Sequence, residues 1–206
     1  GEDDQAMEYL QKSLTIQLKQ LGADHPDVAD SFNNIGMQYY KRREYDMALE
    51  FLQKALVIRL KRLGPDHPNV AHSYNNIGTA HGKKGEYDRA LEYCQKSLAI
   101  ELKQLGADHP SMATDYFRIG GLYFQKGDYK EAGKWCRKAA EQNYPPAQDV
   151  LGVLYAAGRG VDPDFVEAYK WFCLAAANGY TKAKSRKDTL AKKMTPEQIT
   201  KAEELV

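Results

Sequence analysis

The segment Leu63-Gly64-Pro65-Asp66-His67-Pro68-Asn69-Val70-Ala71 is one of three close variants in this chain. Its Asp66-His67-Pro68 triplet has counterparts at Asp24-His25-Pro26 and Asp108-His109-Pro110, so the step is 42 residues. The same step carries Ile35-Gly36 onto Ile77-Gly78 and Ile119-Gly120, and Tyr45-Asp46 onto Tyr87-Asp88; Tyr129-Lys130 keeps the tyrosine. Residues 4–45 and 46–87 agree, without gaps, at more than half their positions. A fixed period of this length signals stacked small units, each too small to bury its own apolar face.

Each unit reads as two helices. Pro26 stands where a first helical position tolerates a missing N–H. Val28, Phe32, Ile35 and Tyr39 then recur at helical spacing as a buried stripe. Gly36 falls inside that helix, where glycine costs about 1 kcal/mol relative to alanine. Close approach of a neighbouring helix is the compensating reason. Arg43-Glu44-Tyr45 turns the chain, and the next unit uses Gly85-Glu86-Tyr87. A second helix spans about 46–63, with a wide apolar face of Ala48, Leu49, Leu52, Ala55, Leu56, Ile58, Leu60 and Leu63. Gly64-Pro65 ends it. The fold expected is all-α: a right-handed superhelical solenoid of antiparallel helix pairs.

These residues resemble the tetratricopeptide repeat. Gly36 and Tyr39 in one helix with Ala48 and Ala55 in the next follow its small-and-large pattern. The usual repeat is about 34 residues. The longer second helix followed by residues 63–71 resembles the 42-residue variety of kinesin light chains. The resemblance covers roughly residues 4–144, with the first unit reduced to its second helix. After Tyr144 the period changes. Trp135 and Trp171 lie 36 residues apart, as do Ala147 and Ala183. With Leu151-Gly152, Tyr155 and Ala157-Gly158-Arg159-Gly160-Val161, this part resembles the Sel1-like repeat. Two segments are therefore expected, 1–144 and 145–206, joined without a linker into one continuous array. Beyond Thr181 lysines dominate, and Thr195-Pro196-Glu197-Gln198 reads as a capping box. It opens a last helix over about 196–205, with Ile199, Ala202 and Leu205 inward.

Composition constrains the function class. The chain has 206 residues, 43% hydrophobic, with 29 basic and 28 acidic residues for a net charge of +1. That balance gives no footprint for nucleic acid. No run approaches the 18 apolar residues of a membrane span. The chain starts Gly1-Glu2 in mid-repeat and is expected to be a fragment. Cys94 and Cys136, in equivalent positions, read as small buried apolar residues, and the three separated cysteines suggest a reducing, cytoplasmic setting. His25, His67 and His109 are one repeat apart, about 10 Å by helix packing distance, too far for a shared metal with ligands about 2 Å away. They are expected to mark helix starts, with the neighbouring Asp as capping acceptor. His72 and His81 read as isolated. No constellation for nucleophilic or acid–base chemistry emerges, so neither an enzyme nor a cofactor is expected.

What remains is the groove lined by the first helix of each pair. There Asp30, Asn33, Asn34, Met37 and Lys41 share a stripe, followed by His72, Asn75, Asn76, Thr79 and Lys83, and by Thr114, Phe117, Arg118, Gly121 and Gln125. Adjacent asparagines are poor helix-interior residues and need a reason. One reason is that their amides pair with a peptide backbone; another is a ladder bonding neighbouring helices. The expected groove consists of Asn33, Asn34, Met37, Lys41, Asn75, Asn76, Thr79, Lys83, Phe117 and Arg118. The expected partner is an extended, somewhat acidic protein or peptide segment, bound by a monomeric interaction scaffold. The paired asparagines also resemble the groove of kinesin light chains. The carboxylate clamp of chaperone-binding tetratricopeptide domains is incomplete: Asn76 and Arg118 match it, but Asn33, Met37 and Thr114 stand where two lysines and an asparagine belong. Two other readings are a sensor arm of a larger signalling enzyme and an engineered array without an evolved ligand.

Overall fold

The computed structural model describes residues 2–206, with side chains from residue 5 onward. Eleven helices and no strand occur among the described residues. They form two compact units, one up to Gly106 and the other Ala107–Val206.

The first unit contains α1 (Glu2–Leu21), α2 (Pro26–Lys41), α3 (Tyr45–Leu63), α4 (Pro68–Lys84) and α5 (Tyr87–Leu105). Consecutive helices pack as pairs, α2 on α3 and α4 on α5, with α3 on α4 and α1 on α2 between them. Each second helix therefore has two apolar faces. On α3, Ala55 and Ile58 join Val28, Ala29 and Ile35 beneath the unit's own first helix. Leu49 and Leu56 join Val70, Ala71 and Ile77 beneath the next. The glycine inside each first helix makes this approach possible. A Cβ at Gly36 would lie 2.9 Å from Leu52 Cγ and 3.1 Å from the Ala48 carbonyl oxygen. The turn between α2 and α3 puts Arg43 at φ 64°, where the equivalent positions hold Gly85 and Gly127.

The second unit contains α6 (Ser111–Lys126), α7 (Tyr129–Glu141), α8 (Pro145–Ala157), α9 (Phe165–Ala177), α10 (Thr181–Ala191) and α11 (Pro196–Glu203). The change of period at Tyr144 falls inside it, and α7 packs on α8. Gln148 Nε2 donates to the Ala140 carbonyl at 3.2 Å, and Asn178 Nδ2 donates to Gln148 Oε1 at 3.2 Å. The Arg137 guanidinium lies 6.0 Å from the Trp171 ring. Gly160, at φ +73°, presses on the start of α7, where a Cβ would sit 2.4 Å from the Tyr129 carbonyl carbon. The capping box of α11 is formed in both directions, with Thr195 N to Gln198 Oε1 at 2.9 Å and Gln198 N to Thr195 Oγ1 at 3.3 Å. Ala202 is buried and Ile199 half-buried, but Leu205 is exposed. The helix stops at Glu203, so the expected inward position of Leu205 lies past its end.

Candidate functional site

The proposed groove begins on α2 and α4. Asn34, Lys41 and Lys83 are exposed, and Met37, Asn75, Asn76 and Thr79 are half-buried. Asn33 is buried: its Oδ1 accepts from Asn76 Nδ2 at 2.9 Å. This pair is thus one rung between the two first helices, the ladder arrangement. Asn75 Nδ2 donates to Glu101 Oε1 at 3.2 Å, while Thr79 Oγ1 donates back to the Asn75 carbonyl at 2.8 Å. Met37 packs against the Val70–Ile77 cluster. Asp30, on the same stripe, accepts from Arg59 Nη2 at 2.7 Å.

Arg59 was not legible as a structural residue. It is buried on α3, and its Nη1 also donates to Ser73 Oγ at 2.7 Å and to the Asn69 carbonyl at 3.3 Å. A repeat earlier the same position is Gln17, whose Oε1 accepts from Ser31 Oγ at 2.6 Å. The available signal was the 42-residue register. Gln17, Arg59 and Glu101 are polar residues in an otherwise apolar series, each followed one helix later by Ser31, Ser73 or Asp115.

The histidines correct two expectations. His25 and His67 are themselves the helix caps: each Nδ1 accepts a backbone N–H two residues on, from Asp27 at 3.2 Å and Asn69 at 3.1 Å. His109 Nδ1 accepts likewise from Ser111 N at 3.3 Å. The preceding acids are engaged elsewhere, Asp24 by Lys61 and Asp66 by Lys103. Lys61 holds the Asp24 carboxyl below its ordinary range. His81 is not isolated. It is buried at the end of α4, lies 2.6 Å from Glu86 Oε2, and stacks on Tyr93 at 5.5 Å with an 11° interplanar angle. Glu86 also meets Lys84 at 2.9 Å, and these two partners, Lys84 foremost, pull its carboxyl down to about 2.

In the second unit, Phe117 packs on Tyr144 with ring centroids 5.2 Å apart, and Arg118 Nη1 pairs with Asp115 Oδ1 at 2.5 Å. An open depression of about 320 Å³ lies between α8, α9 and α10. Val153, Ala156, Ala157, Phe172 and Leu190 give it an apolar floor, with Arg186 and Lys193 at its rim. Arg186 also reaches the buried Asp149. Cys94 and Cys136 are buried, and burial pushes the Cys136 thiol up to about 12. Among the described residues, no group of three His, Cys, Asp or Glu side chains is placed to hold a metal ion. No described helix is long and apolar enough to cross a membrane.

Comparison with known proteins gives the same assignment from an independent direction. No curated protein sequence matches the chain. Among solved structures, a putative kinesin light chain of Podosopora anserina with nearly identical TPR-like repeats superposes with a TM-score of 0.73. It is 24% identical over 90% of this chain and 89% of that one. MamA gives a TM-score of 0.64 at 22% identity, over 89% of this chain and 92% of its own. The uropathogenic Escherichia coli protective antigen c5321, with an SLR fold, gives 0.61 at 25% identity, over 97% of this chain but only 39% of its own. The family model for the tetratricopeptide repeat matches residues 1–58, 27–100 and 76–142, and that for the Sel1 repeat matches 145–180. The chain belongs to the tetratricopeptide repeat family, with a Sel1 repeat following.

Proposed function

We propose that this chain is a non-catalytic scaffold that holds an extended, somewhat acidic peptide segment against the first helices of its pairs. Tetratricopeptide and Sel1 repeats generally mediate protein–protein interaction. The observation that carries the finer reading is the outward face of α2 and α4. There exposed Asn34 offers both a donor and an acceptor, and exposed Lys41 and Lys83 offer cations. Half-buried Met37, Asn75, Asn76 and Thr79 lie between them, and the Asn33–Asn76 bond keeps the two helices in register. Amides suit a main chain of any sequence, and lysines suit acidic side chains. In the second unit the depression floored by Phe172 suits an apolar side chain, and its Arg186 and Lys193 rim suits a neighbouring acid. Within the second unit, Phe117 and Arg118 on α6 are further proposed contact residues. The scaffold is monomeric and cytoplasmic in this reading.

Affinity is expected to be micromolar, on the order of −8 kcal/mol, because ordering the peptide uses part of the contact energy. Binding weakens with salt, since exposed lysines are screened over about 8–10 Å. The test is titration of the chain with a panel of acidic extended peptides carrying an apolar anchor. Lys41→Glu and Lys83→Glu should each weaken binding without changing the fold, whereas Lys130→Glu, at an exposed position on the second helix α7, should not. A footprint confined to α3 and α5, indifferent to Lys41 and Lys83, would overturn the assignment.

A further inference from the structure

An open depression of about 590 Å³ lies inside the first unit, between the α2–α3 turn and the end of α4. Three cations, Arg43, Lys83 and Lys84, and two acids, Glu44 and Asp46, stand on its wall. Lys84 is committed: its Nζ meets Asp46 Oδ1 at 2.6 Å and Glu86 Oε1 at 2.9 Å, and these carboxylates, Asp46 foremost, raise its pKa. Arg43 and Lys83 are exposed, and neither reaches a carboxylate among the described residues. Elsewhere in this unit such cations are paired, Lys54 with Glu50, Lys61 with Asp24, Lys96 with Glu92 and Lys103 with Asp66. Two unpaired cations facing one depression leave a local excess of positive charge, which the exposed Glu44 offsets only in part. Helix ends account for some of this. Lys83 and Lys84 lie in the last turn of α4, where a cation complements the helix dipole. The same attraction reaches Arg43 past the end of α2, but Arg43 carries a cost that the lysines do not. It holds φ 64°, a left-handed conformation that the equivalent turns give to Gly85 and Gly127. One repeat on, Arg43 becomes Gly85 and Lys83 becomes Gln125, while Glu44, Tyr45 and Asp46 recur as Glu86, Tyr87 and Asp88. The turn is kept and both unpaired cations are replaced, so they belong to this depression rather than to the repeat.

We propose that this depression binds a phosphoryl group carried on a side chain of the peptide ligand, held between the Arg43 guanidinium and the Lys83 ammonium. This rests on the groove reading, because Lys83 belongs to both. A guanidinium presents a planar fork of donors that matches phosphoryl oxygens, and an ammonium adds a point charge. A phosphoryl group carries about −1.5 to −2 charges at pH 7 and so answers both cations, whereas a carboxylate answers one. Glu44 opposes any anion placed there, which gives the proposal a second sign to test.

The probes are three capped nine-residue peptides of alternating glutamate and alanine, alike except for serine, glutamate or phosphoserine at the centre. Each is titrated into the 206-residue chain by calorimetry, and inorganic phosphate is titrated alone. The phosphoserine peptide is expected to bind about tenfold more tightly than the serine peptide, and more tightly than the glutamate peptide, as added charge-assisted hydrogen bonds predict. Arg43→Gly should remove that advantage while raising the urea midpoint, so that lost affinity is not lost folding. Glu44→Gln should enlarge the advantage. Equal binding of the serine and phosphoserine peptides, or an advantage that survives Arg43→Gly, would overturn the site and leave the groove reading standing. Inorganic phosphate binding as tightly as the phosphoserine peptide would make a free anion the occupant and overturn the peptide source. If the serine and glutamate peptides fail while the phosphoserine peptide binds in an Arg43-dependent way, the groove reading falls and the site stands. Binding by none of the three would overturn both.

Discussion

Replacing Gly78 by alanine tests the packing argument at its tightest point. Gly78 lies in α4, where alanine is intrinsically better than glycine by about 1 kcal/mol. Its new Cβ would lie 2.7 Å from Cys94 Sγ, 3.1 Å from the Ala90 carbonyl oxygen and 3.3 Å from Cys94 N. Two of those three atoms are backbone, and the third is a short buried side chain with little room to move. Crowding of this kind costs about 1–3 kcal/mol, so the net change expected is a loss of about 1–2 kcal/mol. Gly121 is the control: it is also helical, and a Cβ there meets nothing within 4 Å. Gly121→Ala should therefore stabilise its unit by about 0.5–1 kcal/mol. Urea unfolding followed by circular dichroism gives both numbers. Adding Cys94→Ala to Gly78→Ala should recover at least about 1 kcal/mol as a coupling energy, because it removes the atom that is struck. If Gly78→Ala stabilises as much as Gly121→Ala, or no coupling is found, close helix approach is not why glycine recurs in these helices.

Ile77, fully buried in the cluster between α3, α4 and α5, should cost about 2–5 kcal/mol when cut to alanine; urea unfolding showing a loss under about 1 kcal/mol would misplace the core stripe. Arg43 holds a left-handed φ that its repeat counterparts give to glycine, so Arg43→Gly should raise stability by up to about 1 kcal/mol, read as a higher urea midpoint. The Glu86 carboxyl is held down to about 2 from an ordinary 4.5. A depressed folded value means its contribution is complete above about pH 4.5 and is lost as pH falls towards 2. Glu86→Gln should accordingly flatten the acid side of the stability profile in that window and leave its slope above pH 5 unchanged. The Cys136 thiol, pushed up to about 12 in a buried site, should resist alkylation at pH 8 in the native chain and react only on unfolding.

The sequence alone determined the helices and their pairing. A 42-residue register, Pro26 and Pro68 at helix starts, Gly64 and Gly106 at helix ends and apolar residues at helical spacing are local or periodic signals, so they survive without coordinates. The glycines of the Ile-Gly pairs were readable for the same reason: a conformationally costly residue repeated in a helix demands a packing explanation. The polar stripe was different. Asn33 and Asn34 are chemically identical neighbours, and only the crossing of α2 over α4 turns Asn33 into a buried partner of Asn76 and leaves Asn34 facing solvent. Arg59 reaches Asp30 from 29 positions away, and His25 caps α2 while Asp24 pairs with Lys61 from the far end of α3. His81 is buried because Tyr93 covers it and Glu86 folds back onto it across a helix end. Those outcomes depend on which side chains meet across helix interfaces, and interface geometry is set by the summed packing of many residues rather than by any one spacing in the chain.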